Sequence, residues 1–153
     1  MRTTRPLPRP VPALTVIATA LAALGWPGCS GCTPPYQGAD RADVAFVVFE
    51  SDGSTSGRTV EVLDAGRAQR ISSAISDRAP ERTDCGTSGT LYLQKQGRTV
   101  FDEPAAINLH PDCAHIVFAI EGERHARVLE GEGLELLRSL YAESVPAHKR
   151  VAY

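Results

Sequence analysis

Four side chains able to bind a metal or move a proton lie within six residues of one another: His110, Asp112, Cys113 and His115. Imidazole, carboxylate and thiolate all ligate zinc or copper. A thiolate beside a histidine base is also the pairing used for nucleophilic attack. The spacing matches no established metal motif, and Pro111 makes the segment a turn. Cys85 offers a competing chemistry, oxidation to a Cys85–Cys113 bridge across the intervening segment. Once bridged, Cys113 can neither ligate nor attack, and His110, Asp112 and His115 are too few to close a tetrahedral site. The expectation is a disulfide-anchored turn, with no catalytic residue, no metal and no cofactor.

The other polar clusters carry less. Ser51 to Gly57 is rich in glycine and hydroxyls but lacks the Gly-Lys-Ser/Thr ending of a phosphate loop. It reads as a connection. Asp102 and Glu103 are adjacent carboxylates, and strand neighbours point to opposite faces, so they cannot share one substrate. No acid, base and nucleophile can be placed together from the sequence.

The first fifth of the chain says where the protein works. Arg2, Arg5 and Arg9 precede an uncharged, mainly apolar run from Val11 to Trp26, and Gly28-Cys29-Ser30-Gly31-Cys32 follows. Basic, apolar, then small is the order of a secretory signal peptide. The run is shorter than the roughly 20 residues that a spanning helix needs. Charge divides at the same point, because all 18 acids lie after Cys32 and only three bases lie before it. The remaining 13 basic and 18 acidic side chains give a net charge of −5. Such a chain repels phosphate polyanions, which argues against nucleic acid as a partner.

Cysteine parity suggests the processing site. Cleavage before Cys32 removes Cys29, leaves Cys32 for acylation, and leaves Cys85 and Cys113 as an even pair. Cleavage before Cys29 leaves Cys32 unpaired, so Cys32 is preferred and Cys29 is the alternative. On these residues the N-terminus resembles bacterial lipoproteins. That resemblance implies a signal peptide over residues 1–31, palmitate or another acyl chain on Cys32, and a lipid anchor in a membrane of the cell envelope. The competing expectation is plain secretion after a small-x-small triplet such as Ala20-Leu21-Ala22.

Ser88-Gly89-Thr90-Leu91-Tyr92 is a second local match. It resembles the Ser-Gly-x-x-Tyr motif of bacterial periplasmic lysozyme inhibitors. The resemblance implies that Ser88 enters the lysozyme cleft and that Tyr92 supports it. The second motif of that family, a tyrosine followed by Thr-Lys-Gly, is absent.

Stepping along the chain, Thr33 to Asp43 reads as a tether, with two prolines, a glycine and no periodicity. The domain is expected over residues 44–145 and a polar tail over 146–153. Val44 to Phe49 and Thr59 to Leu63 read as strands, and Asp64 caps a helix running to about Ser76. A two-residue Gln96-Gly97 turn closes a hairpin that sets Leu93 opposite Val100. Ile107 to Leu109 is a short strand. His115 to Ile120 and Arg124 to Leu129 form a second hairpin, for which a three-residue Glu121-Gly122-Glu123 loop is expected. That register puts Phe118 in the core, His125 on the other face, and Arg127 outside. Leu134, Leu137, Leu140 and Tyr141 stripe a closing helix. The fold class is α+β: one antiparallel sheet of five to seven strands with two helices on one face. Its strand–helix–strands–helix order resembles the saddle sheet of the TATA-binding-protein fold.

These observations converge on a non-enzymatic envelope lipoprotein with a protein-binding or structural role. Its partners are the membrane, through the lipid, and another envelope protein. The alternative is inhibition of a lysozyme-like cell-wall hydrolase through the Ser88 loop.

Overall fold

The computed structural model describes residues 33–150. The expected signal segment 1–31 and both acylation candidates, Cys29 and Cys32, lie outside the described residues. The elements in chain order are β1 (Arg41–Phe49), β2 (Thr55–Val62), α1 (Ala65–Ser73), β3 (Gly89–Lys95), β4 (Arg98–Thr99), β5 (Ala105–Asn108), β6 (His115–Ile120), β7 (Glu123–Val128) and α2 (Gly131–Ser144). The strands form one antiparallel sheet in the order β2-β1-β3-β5-β6-β7, with the short β4 paired to β3 beside this path. The α+β class and the sheet with two helices are as the sequence pattern predicts.

Alternation sets the core. In β1, Ala42, Val44, Phe46 and Val48 are buried, while Asp43, Ala45 and Val47 between them stay partly exposed. Register carries the same face across the sheet, through Leu91 and Leu93 in β3, Ala105 and Ile107 in β5, and Ile116 and Phe118 in β6. Both helices pack on this face. The Asp64 carboxylate caps α1 by accepting from Arg67 N at 2.7 Å. Helix α1 buries Ala68 and Ile71. Helix α2 buries Leu134, Leu137, Leu140 and Tyr141, the last with its ring 5.2 Å from that of Phe46. The helices cross closely at Gly133, where any Cβ would run into the Arg70 carbonyl.

Three expectations are corrected. The stretch read as a tether is docked from its fourth residue: Tyr36 and Ala39 are buried, and β1 begins at Arg41. Tyr36 lies edge-on to Phe118 with centroids 5.7 Å apart. The composition of Thr33 to Asp43 hid one aromatic anchor among turn formers. The polar tail is likewise fixed through Arg150: Lys149 bonds Glu50 at 2.7 Å, and the Arg150 Nε donates to the Val145 carbonyl at 2.9 Å.

The third correction is the second hairpin. Its loop is the two-residue Glu121-Gly122, with both residues at positive φ, and Ile120 pairs with Glu123. The first hairpin turns the same way at Gln96-Gly97, and Val100 N donates to the Leu93 carbonyl as expected. In the second, Phe118 is buried, but His125 stands directly opposite on the same face, and Arg127 is opposite Ile116. The expected three-residue loop kept Arg127 out of the core. Strand β7 is the sheet edge, however, so Arg127 and His125 lie along the rim of the core and remain partly exposed. A long guanidinium side chain tolerates this by covering apolar surface with its stem.

Candidate functional site

The chemistry-bearing residues gather at one end of the sheet, where the segment from Ser76 to Ser88 meets the 3-10 turn Pro111–Cys113. Cys85 and Cys113 are joined by a disulfide, with Cα atoms 6.6 Å apart. That bridge removes the thiolate from metal binding and from nucleophilic attack.

The remaining polar groups of this cluster are committed to holding the loop. The His110 ring Nδ1 accepts from Asp112 N at 3.2 Å, capping the 3-10 turn. The Asp112 carboxylate, almost fully exposed, stays 3.9 Å from that nitrogen. His115 is buried, with Nδ1 2.7 Å from the Cys113 carbonyl. A carbonyl only accepts, so this contact fixes the tautomer with the proton on Nδ1. Among the described residues, no group of three or more His, Cys, Asp or Glu side chains could hold a metal ion.

Ser88 and Asn108 complete the cluster. Ser88 is fully buried: its Oγ accepts from Leu109 N at 3.0 Å, its N donates to the Ile107 carbonyl, and its carbonyl accepts from Val47 N. It therefore ties β1 to β5 and does not project toward a partner's cleft. Gly89 follows because a Cβ there would strike the Ala45 carbonyl of the adjacent strand. The Ser-Gly pair is thus accounted for by close strand packing. Tyr92, four residues on, is exposed. Asn108 was not singled out by the sequence reading, yet it is buried and bonds at both ends of its amide. Its Nδ2 donates to the Gly86 carbonyl and its Oδ1 accepts from His110 N. Its signal is a lone amide closing an apolar strand.

Beside the disulfide lies an open groove of about 480 Å³, lined by Arg78, Arg82, Cys113, Leu134 and Arg138 among others. Its guanidinium groups are already answered. Arg78 pairs with Glu130, Arg82 with Asp84 at 2.9 Å, and Arg138 with Glu135 at 2.6 Å. Arg82 in turn holds the Asp84 carboxyl below the ordinary carboxylate range. A groove so neutralised has little pull on an anion. A smaller cleft of about 90 Å³ opens between Tyr92 and Pro104, where β4 leaves the sheet path.

The sheet face away from the helices is the more informative surface. Antiparallel sheets with one solvated face normally alternate apolar with polar. Here one register row crosses the six strands of the main path as Thr59, Ala45, Thr90, Ala106, Val117 and Ala126, without a charge. All of them are at least partly exposed, and Val47 and Ala119 flank the row in the same state. Tyr92 and Phe49, both exposed, lie on the same face. The sequence reading missed this surface, whose only sign is alanine, valine and threonine at outward positions that usually carry charge. Comparison with known proteins adds no relative: no protein-family model, no curated protein and no solved structure matches the chain.

Proposed function

We propose that this chain is a lipid-anchored protein of a bacterial cell envelope, whose domain has a protein-binding or structural role rather than a catalytic one. One observation carries the binding reading: the partly exposed, uncharged row across the outer sheet face. An outward sheet face without charges departs from the apolar–polar alternation of a solvated sheet, and the main apolar patch of a monomer is often a functional one. The export reading is supported by the Arg-rich, apolar, small-plus-cysteine order up to Cys32, and by the Cys85–Cys113 bridge, which oxidising compartments favour.

The inhibitor reading depends on a projecting serine, and Ser88 is buried with its hydroxyl engaged. It finds no support in the geometry. The test of the anchor is mass spectrometry of the mature N-terminus: an acylated Cys32 is expected. A free amine near Ala23 would remove the lipoprotein reading, whereas an acylated Cys29 would move only the site.

A further inference from the structure

We propose that the outer sheet face binds a second copy of this chain, forming a two-fold symmetric dimer in which the two sheets pack face to face. The inference deepens the protein-binding reading and rests on it. It does not depend on lipidation.

Strand register gives the argument its geometry. Two residues along from the uncharged row, the next row carries Glu61, Asp43 and Tyr92 on β2, β1 and β3, and Ala119 and Arg124 on β6 and β7. Within this row the acids stand on β2 and β1 and Arg124 on β7, while the Asp102 carboxylate lies beyond the row at the β6–β7 turn, where it accepts from Gly122 N. Arg41 lies 3.5 Å from both Asp43 and Glu61, so one guanidinium serves two carboxylates and a net negative charge remains. That pairing is loose: among the described residues the buried Arg41 Nε and Asp43 Oδ1 meet only each other, as an ion pair at 3.5 Å, and the Glu61 side chain, 61% exposed, is the carboxylate open to a partner. Arg124 is exposed and has no ion pair among the described residues.

A two-fold axis parallel to the strands, passing between β3 and β5, resolves this polarity. It lays β2 of one copy over β7 of the other and each row over its own counterpart, which is the self-complementary contact of a two-fold interface. Arg124 of each copy then lies over Glu61 of the other. In the uncharged row, Thr90 meets Ala106 at the axis, and Ala45 meets Val117. Small side chains there let two sheets approach to the roughly 10 Å spacing of a sandwich, in the aligned class of sheet packing.

The rest of the face fits the same operation. The disulfide loop covers Asn108 and His115 on β5 and β6 and forms a ledge beside the row. The axis sets this ledge against the Val47–Phe49 end of β1 in the other copy, where Phe49 is 41% exposed. Six strands span about 25 Å, so the patch is on the order of 400–500 Å² per copy. Two such patches make an interface of about 800–1,000 Å² in total, which is the weak, transient class of association.

The test is sedimentation equilibrium of the full chain in detergent, with three variants. The native chain should be dimeric at high concentration. Val117→Arg should be monomeric, with an unchanged thermal transition at low concentration because Val117 lies outside the core. Arg124→Glu should weaken association about tenfold or more, and adding Glu61→Arg to it should restore most of the loss. A native chain that stays monomeric at about 100 µM overturns self-pairing. So does a Val117→Arg chain that still dimerises, or an Arg124→Glu defect that Glu61→Arg deepens. Monomeric native chain whose cross-linking to another envelope protein is abolished by Val117→Arg removes self-pairing but leaves the binding face. Absence of both effects removes the binding reading too.

Discussion

Phe118 and His125 face each other across the β6–β7 hairpin, their ring centroids 5.4 Å apart and their planes inclined at 36°. The pair continues into a cluster: Phe101 stacks on Phe118 at 4.8 Å, and Tyr36 meets it edge-on. The imidazole thus completes a patch of rings at the rim of the core.

This contact makes the hairpin register measurable. Phe118→Ala should cost about 3–5 kcal/mol, the usual loss for a buried aromatic. His125→Ala should cost less, and the two should couple by about 0.5–1.5 kcal/mol in a double-mutant cycle followed by urea unfolding. Strictly additive losses would mean that the rings do not meet and that the hairpin pairs in another register.

Gly133 tests the helix crossing. Alanine in a helix interior normally gains up to about 1 kcal/mol over glycine. Here the new methyl group would enter the Arg70 carbonyl and crowd the Ala74 side chain. Gly133→Ala should therefore lower stability by about 1–3 kcal/mol, the cost of overpacking. A raised melting temperature would show that α1 and α2 separate more easily than their close approach implies.

How much of this was legible in the sequence depended on local pattern. The alternation of Val44, Phe46 and Val48, the Asp64 cap and the leucine spacing of α2 each encode their element within a few residues. The Gln96-Gly97 turn could be placed because its flanks alternate cleanly. Glu121-Gly122 could not, because glutamate is a poor marker of a left-handed turn and the flanking strand is a charged edge. Tyr36 was hidden for a related reason: its burial is decided by Phe118, more than eighty positions away. The Cys85–Cys113 bridge followed from counting thiols. The commitment of Ser88, Asn108 and His115 to loop support required knowing what lay above them.

Reduction of the disulfide offers a third measurement. The bridge closes a loop over a sequence separation of 28 residues, for which chain entropy alone gives roughly 3.6 kcal/mol. Reduced chain, or Cys85→Ala with Cys113→Ala, should lose about 3–4 kcal/mol on this account. Exposure should rise first at Gly86 and Asn108, whose hydrogen bond the loop holds, and hydrogen exchange reads this directly. Unchanged stability on reduction would mean that the hydrogen bonds of Ser88 and Asn108 hold the loop unaided.

Tyr36 makes the docking of the N-terminal segment visible through pH. Burial raises its phenol above the ordinary value of 10.0, the Asp77 carboxylate raises it further, and Arg127 partly opposes both. The folded state therefore holds the proton to higher pH than the unfolded state does. Such a group contributes stability in full below its unfolded value, and that contribution is lost as pH rises through the folded value. Native chain and Tyr36→Phe share every other titrating group, so their stability difference isolates this one. The difference should be flat up to about pH 9, and above about pH 10 the native chain should lose stability relative to the phenylalanine variant. Tyr36→Ala should in addition lose several kcal/mol at neutral pH, because its ring packs on Phe118. A difference that stays constant through alkaline pH would mean that Tyr36 ionises as freely in the folded chain as in the unfolded one, and that the segment is not docked.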